Sequence, residues 1–207
     1  MDAVESDFNL KVVLVSFKQC LNEKEEVLLE HYLAGWRGLV RFLNSLGAIF
    51  SFISKDVVTK LQRPPAGPLQ QPAVHGGLRG GQPDGGPGAP LPPPGLGLPD
   101  VLRLHRALRW LQLFLEGLRT SPEDARTAVL CTDSYNASLA AYHPWIIRRA
   151  VTVAFCTLPT RKVFLEAMNV GSTEQAVAML GEALPFIEHV YDISQKLYAE
   201  HALLDLP

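Results

Sequence analysis

The stretch Arg63–Pro99 limits the fold more than any other feature of the chain. Of its 37 residues, 11 are proline and 10 are glycine. Neither residue type sustains the interior of a helix or strand. The stretch has no collagen-like period and almost no apolar side chain to bury. It therefore predicts a flexible insert with local polyproline II character, lying between two blocks that can form regular structure. A second use of the same composition is a ligand for SH3- or WW-type partners, centred on Pro90–Pro94.

Both flanking blocks carry helical periodicity. Leu10, Val13, Leu14, Phe17 and Leu21 recur at helix spacing behind Asn9, a suitable N-cap. Leu29, Tyr32, Leu33, Trp36, Leu39, Val40, Leu43 and Leu46 make a second run, which Gly47 ends or bends. Beyond the insert, Asp100 is the expected cap of a helix built on Leu104, Leu108, Leu111, Leu115 and Leu118. Ser121-Pro122-Glu123-Asp124 reads as a helix start, with a cap, a proline at the first helical position and acids in the first turn. A further helix is expected from Asp133 or Ser134 to about Tyr142. His143-Pro144 then breaks the chain before a helix over Trp145–Leu158. Thr160 caps a short helix to Asn169, Ser172 and Gln175 form a capping box, and a long segment punctuated by Pro185 runs to Leu204. No strand-like alternation occurs, so the expected class is all-α.

Several charges fall in unexpected places. On a helical wheel Ile49, Phe52, Ile53 and Val57 form an apolar stripe, and Asp56 and Lys60 lie within it, one turn apart. Charges occupy such a face when they are paired or when they bind something. An i,i+4 ion pair and a ligand-binding pair both fit the pattern. Arg103 falls in a strip with Ala107, Trp110 and Phe114, whereas Arg106 and Arg109 fall among His105, Gln112 and Glu116. One arginine is therefore expected towards the core and two away from it. Arg103 reads either as a snorkelling side chain or as a site cation. His143 reads either as a turn residue before Pro144 or as a site residue.

Other classes find little support. The acidic N-terminus MDAVESDF lacks the basic and apolar regions of a signal peptide, and no apolar run approaches the roughly 20 residues of a membrane span. Cys20, Cys131 and Cys156 form neither a disulfide framework nor a metal set, which fits a reducing cytosol. A net charge of −2 gives no global footprint for nucleic acid. The chain holds no nucleophile elbow, P-loop, dinucleotide fingerprint or zincin motif. An enzyme using Asp56 and His143 as acid and base would still lack a nucleophile or metal.

The segments FNLKVVLVSFKQCL, WRGLVRFLNSLGAIFSFISKDVV, LRLHRALRWLQLFLEGLRTSPEDART, SYNASLAAYHPWIIRRAVTVAFCTLPTRKVFLEAMNV and QKLYAEHALLDLP resemble the glycolipid transfer protein superfamily, in its phosphate-carrying branch. The resemblance covers residues 8–61 and 101–207. It implies one domain over 1–207, a two-layer α-helical sandwich enclosing lipid chains, with 63–99 as a flexible insert or replacement. The implied activity is non-vesicular transfer of ceramide-1-phosphate between membranes, by a monomer without cofactor, metal or catalytic residues. By the same resemblance Asp56 accepts from the ceramide amide and His143 reaches the amide carbonyl or headgroup. Lys60 and Arg103 stand where sugar-carrying relatives have an asparagine and a tryptophan, so two cations replace a sugar site with a phosphate site. Trp145 resembles a membrane-docking tryptophan, helped by Arg148 and Arg149 on an anionic surface. The implied location is the cytoplasm, with visits to cytosolic faces of the Golgi, plasma membrane and endosomes and to the nucleus. The chain departs from the family at Pro99, where relatives carry a second phosphate-binding arginine, and over 63–99, where they carry a helix. The alternative is a transfer-impaired form acting as a helical interaction module through its proline-rich stretch.

Overall fold

The structure, a computed structural model, describes residues 8–45, 61 and 98–206. The described elements are α1 (Leu10–Lys18), α2 (Leu29–Ser45), α3 (Leu98–Thr120), α4 (Thr127–Ser138), a 3-10 turn (Ala140–Tyr142), α5 (Trp145–Phe155), α6 (Arg161–Glu166) and α7 (Thr173–Glu200). The only strand-like feature among these residues is one isolated bridge between Leu21 and Val27. That bridge takes Leu21 out of the first helix, which stops at Lys18. Helix α1 packs on α2, α3 packs on α4, and α7 touches both α1 and α3. The long C-terminal helix thus ties the two pairs into the expected all-α, two-layer sandwich.

Local signals explain most of the helix starts. The Asn9 side chain accepts from the Lys11 N–H at 2.8 Å and donates to the Asn169 carbonyl at 3.1 Å. Asn169 in turn donates to the Phe8 carbonyl at 2.7 Å. Its φ of 53° lies in the left-handed region, which asparagine tolerates better than most residues. Thr160 caps α6, and Ser172 with Gln175 forms the complete capping box of α7. Pro185 lies inside α7 without ending it. Ala183, Leu184 and Ile187 around it are buried, so packing offsets the lost backbone hydrogen bond.

Helices α1 and α2 meet at two glycines. A Cβ on Gly35 would sit 2.6 Å from Phe17 Cε2, and one on Gly38 would sit 2.7 Å from Val13 Cγ2. Both glycines exist to let the neighbouring helix approach. Phe17 then stands edge-on to Tyr32, with ring centres 6.4 Å apart, in a continuous buried core that also takes in Trp36, Leu108, Phe114, Leu180 and Val190.

Several expectations about helix boundaries are corrected. Helix α3 begins at Leu98, so Pro99 is a first-turn residue and the last two residues of the predicted insert are helical. Proline suits that turn because the first N–H groups lack intrahelical partners in any case. Asp100 is therefore a first-turn acid rather than a cap. Ser121–Asp124 forms a turn, closed by the Ala125 N–H donating to the Pro122 carbonyl at 3.1 Å. Helix α4 starts instead at Thr127, whose buried hydroxyl donates to the distant Pro159 carbonyl at 2.8 Å. Ser134 caps nothing: its hydroxyl donates back to the Leu130 carbonyl at 2.7 Å, inside the helix. Helices α5, α6 and α7 also stop three or four residues short of the ends expected for them. Of the stretch Ile49–Leu61, only Leu61 is described; it is helical and buried.

Candidate functional site

Helix α3 carries the residues around which a site can form. Val101, Leu102, Leu104 and Leu108 face the core, and Arg103 projects from the same helix into solvent. The expected orientation of the arginines is therefore reversed: Arg103 is exposed, while Arg106 and Arg109 are half-buried. The wheel resolves two apolar strips and puts Arg103 in one of them, but α7 also covers a side that the wheel leaves polar, where Tyr191 and Gln195 meet His105. His105 and Gln112, which the wheel put on the polar side, are buried for the same reason.

His105 is 1 % exposed. Its ring stacks on Tyr191 with centres 4.2 Å apart and planes 3° from parallel. Its Nε2 lies 2.6 Å from Gln195 Oε1, which can only accept. Nε2 therefore carries the hydrogen, and Nδ1 is an unprotonated, buried atom without a hydrogen-bond partner among the described residues. Burial pulls the pKa down to about 4, partly opposed by the Gln195 bond and assisted by Arg106.

Arg106 holds the end of the described chain. One of its terminal nitrogens donates to the Leu204 carbonyl at 2.7 Å and the Leu206 carbonyl at 2.8 Å. Its guanidinium also lies 4.1 Å from the centre of the Tyr142 ring. Arg109 lies 5.3 Å from the Tyr191 ring and donates to Gln112 Oε1 at 3.0 Å. Leu102, His105, Arg106, Arg109, Tyr142 and Tyr191 help line a cleft of about 170 Å³. Leu102 precedes Arg103 and Tyr142 precedes His143, so the chain neighbours of both predicted site residues share this cleft wall.

His143 ends the 3-10 turn and is half-buried. Its Nδ1 lies 2.7 Å from the Tyr135 hydroxyl, and burial lowers its pKa. Pro144 then caps α5. That helix buries Phe155 at its far end and presents Trp145 (65 % exposed), Ile146 (69 %) and Val153 (68 %) to solvent. Arg148 and Arg149 are exposed beside them, and the Arg149 guanidinium lies 5.8 Å from the Trp145 ring centre. Asp56 and Lys60 lie outside the described residues.

Sequence reasoning gave no site role to Tyr135, Arg106 or Tyr142. Their partners lie across turns or at the far end of the chain, where periodicity carries no signal. Among the described residues no cluster of His, Cys, Asp and Glu could hold a metal ion, and no helix is long and apolar enough to cross a membrane.

The glycolipid transfer protein (GLTP) family profile matches residues 94–170. The ceramide-1-phosphate transfer protein of Bos taurus is 75% identical, with 100% of each chain covered. The crystal structure of the mouse ceramide-1-phosphate transfer protein in its apo form superposes with a TM-score of 0.82 at 63% identity, covering 97% of this chain and 100% of that one. The human protein in complex with 2:0 ceramide-1-phosphate superposes with a TM-score of 0.77 at 63% identity, covering 98% and 100%.

Proposed function

The chain belongs to the glycolipid transfer protein family, and from that membership we propose that it moves ceramide-1-phosphate between membranes as a single lipid-carrying domain. The observation that carries this reading is the full-length likeness to ceramide-1-phosphate transfer proteins, one of them solved with the lipid bound. The physical need for such a carrier is large. A ceramide has about 30 chain carbons, and at roughly 0.8 kcal/mol per CH₂ their exposure to water would cost over 20 kcal/mol. A helical sleeve that docks on the bilayer and shields the chains lowers that barrier. No bond is made or broken.

In this reading Arg103 and Lys60 hold the phosphate, Asp56 accepts from the lipid amide, and His143 donates to a lipid oxygen. The exposed Arg103 guanidinium supports the first assignment, because its flat fork can meet two phosphate oxygens at once. Trp145, Arg148 and Arg149 dock the carrier as a monomer on cytosolic membrane faces. The exposure of Trp145 beside Ile146 supports this, since an amphipathic ring next to an aliphatic side chain suits the bilayer interface. The interaction-module alternative rested on the proline-rich stretch, and the full-length likeness favours transfer instead.

The test is transfer of fluorescent ceramide-1-phosphate between donor and acceptor vesicles. Lys60→Asn combined with Arg103→Trp removes both proposed phosphate cations and should abolish transfer. Equal rates for the double variant and the parent would overturn the assignment.

A further inference from the structure

Tyr135 and His143 are eight residues apart, with the 3-10 turn between them, yet they form one hydrogen-bonded unit. Tyr135 is 2 % exposed and stands edge-on to Phe155 at 5.9 Å between ring centres, so its ring has no room to turn away. Among the described residues its hydroxyl has one partner, His143 Nδ1, at 2.7 Å. Two arrangements of hydrogen are conceivable. If Nδ1 carried the hydrogen, the phenol oxygen would accept and the phenol O–H would be buried without an acceptor among these residues. If the phenol donates, Nδ1 accepts, both groups are satisfied, and the ring hydrogen sits on Nε2. The second arrangement leaves no buried donor unmet.

We propose that Tyr135 is a positioning residue of the headgroup site: its hydroxyl holds His143 as the Nε2–H tautomer and so presents the lipid with one fixed hydrogen-bond donor. The proposal rests on the reading above that His143 meets the lipid. Burial acts in its favour at both groups, since it keeps the tyrosine hydroxyl protonated and the imidazole neutral. The main chain is fixed as well. The His143 N–H donates to the Ala140 carbonyl at 3.2 Å, and the following Pro144 restricts His143 to the extended backbone it adopts. A donor held this way is ordered before the lipid arrives, so binding loses less rotational freedom. It also sets the chemistry of its partner, which must be an oxygen acceptor: the amide carbonyl or a phosphate oxygen, not the amide N–H.

Three variants test the proposal: Tyr135→Phe, which removes only the hydroxyl; His143→Ala; and the two combined. Tautomer is read from long-range ¹H–¹⁵N correlations of the His143 ring, and function from vesicle transfer of ceramide-1-phosphate. The parent should show a bare Nδ1 and a protonated Nε2, Tyr135→Phe should show a mixture, and its transfer rate should fall roughly tenfold, as expected for one misdirected hydrogen bond. The double variant should be no slower than His143→Ala. A protonated Nδ1 in the parent overturns the proposal by itself, and that spectrum needs no variant to fold. An unchanged tautomer or an unchanged transfer rate in Tyr135→Phe overturns it too. Full transfer by His143→Ala instead removes His143 from the site, a failure of the underlying reading recognisable whatever Tyr135→Phe does.

Discussion

Acidification to pH 5 should cost the folded chain about 2 kcal/mol through His105 alone. The folded ring stacks on Tyr191, gives its Nε2 hydrogen to Gln195, and keeps Nδ1 bare and buried. A second proton would have to sit on Nδ1, away from water and near the Arg106 guanidinium. The folded pKa is therefore about 4, against 6.5 for a free side chain. The unfolded chain takes the proton first, so the stabilisation is complete above about pH 6.5 and is lost as the pH falls towards 4. That gap corresponds to about 3 kcal/mol in full, and to about 2 kcal/mol at pH 5. Other groups titrate in the same range, so the measurement needs a reference that lacks this one. His105→Phe keeps a flat ring against Tyr191 but cannot take up a proton. It gives up the bond to Gln195 Oε1, which retains the Tyr191 hydroxyl at 3.4 Å, at about 1 kcal/mol. Urea unfolding followed by circular dichroism should find the variant less stable than the parent at pH 7.5 and more stable at pH 5. Parallel stability profiles for the two proteins between those values would refute the argument.

Gly35→Ala should lower stability by about 1–3 kcal/mol, because the new methyl would overlap the Phe17 ring and force α1 from α2; a melting temperature equal to the parent's would mean the ring yields freely. Trp145→Ala should leave stability within about 0.5 kcal/mol of the parent, because the side chain is largely exposed. Its sedimentation with anionic vesicles should drop, and undiminished vesicle binding would remove Trp145 from the docking surface. Asp56→Val should lose transfer while melting no earlier than the parent, since a lipid amide would be buried without its acceptor. An unfolded variant would instead mark Asp56 as one half of a structural ion pair.

The features legible in the sequence were those decided within a few residues. Asn9, Thr160 and the Ser172–Gln175 pair act on N–H groups two or three positions away, and all three caps form. Ser121–Asp124 carries the same kind of local signal and makes a turn, because the start of α4 is fixed by Thr127 reaching a carbonyl 32 residues away. The arginines of α3 misled for a related reason. A helix wheel counts only apolar side chains as buried, while α3 also buries polar ones against distant chain: His105 finds its partner 90 residues further on and Arg106 about 100. At the candidate site, His143 drew notice as a residue type beside Pro144, but its hydrogen-bond partner Tyr135 did not. Their spacing matches no helical repeat once a 3-10 turn intervenes.

The grip of Arg106 on the two carbonyls near the end of the chain has a consequence for how that end tolerates change. A contact made to peptide oxygens is blind to side-chain identity. Leu204 and Leu206 are therefore constrained only by the space their side chains fill beside the core, and modest swaps of aliphatic shape at either position should leave the grip intact. Replacing Arg106 is another matter, because both acceptors and the face of Tyr142 depend on the same guanidinium. The three attachments stand or fall together, so without Arg106 this segment would be held by the packing of Leu203, Leu204 and Leu206 and by the Leu203 N–H bond to the Tyr198 carbonyl.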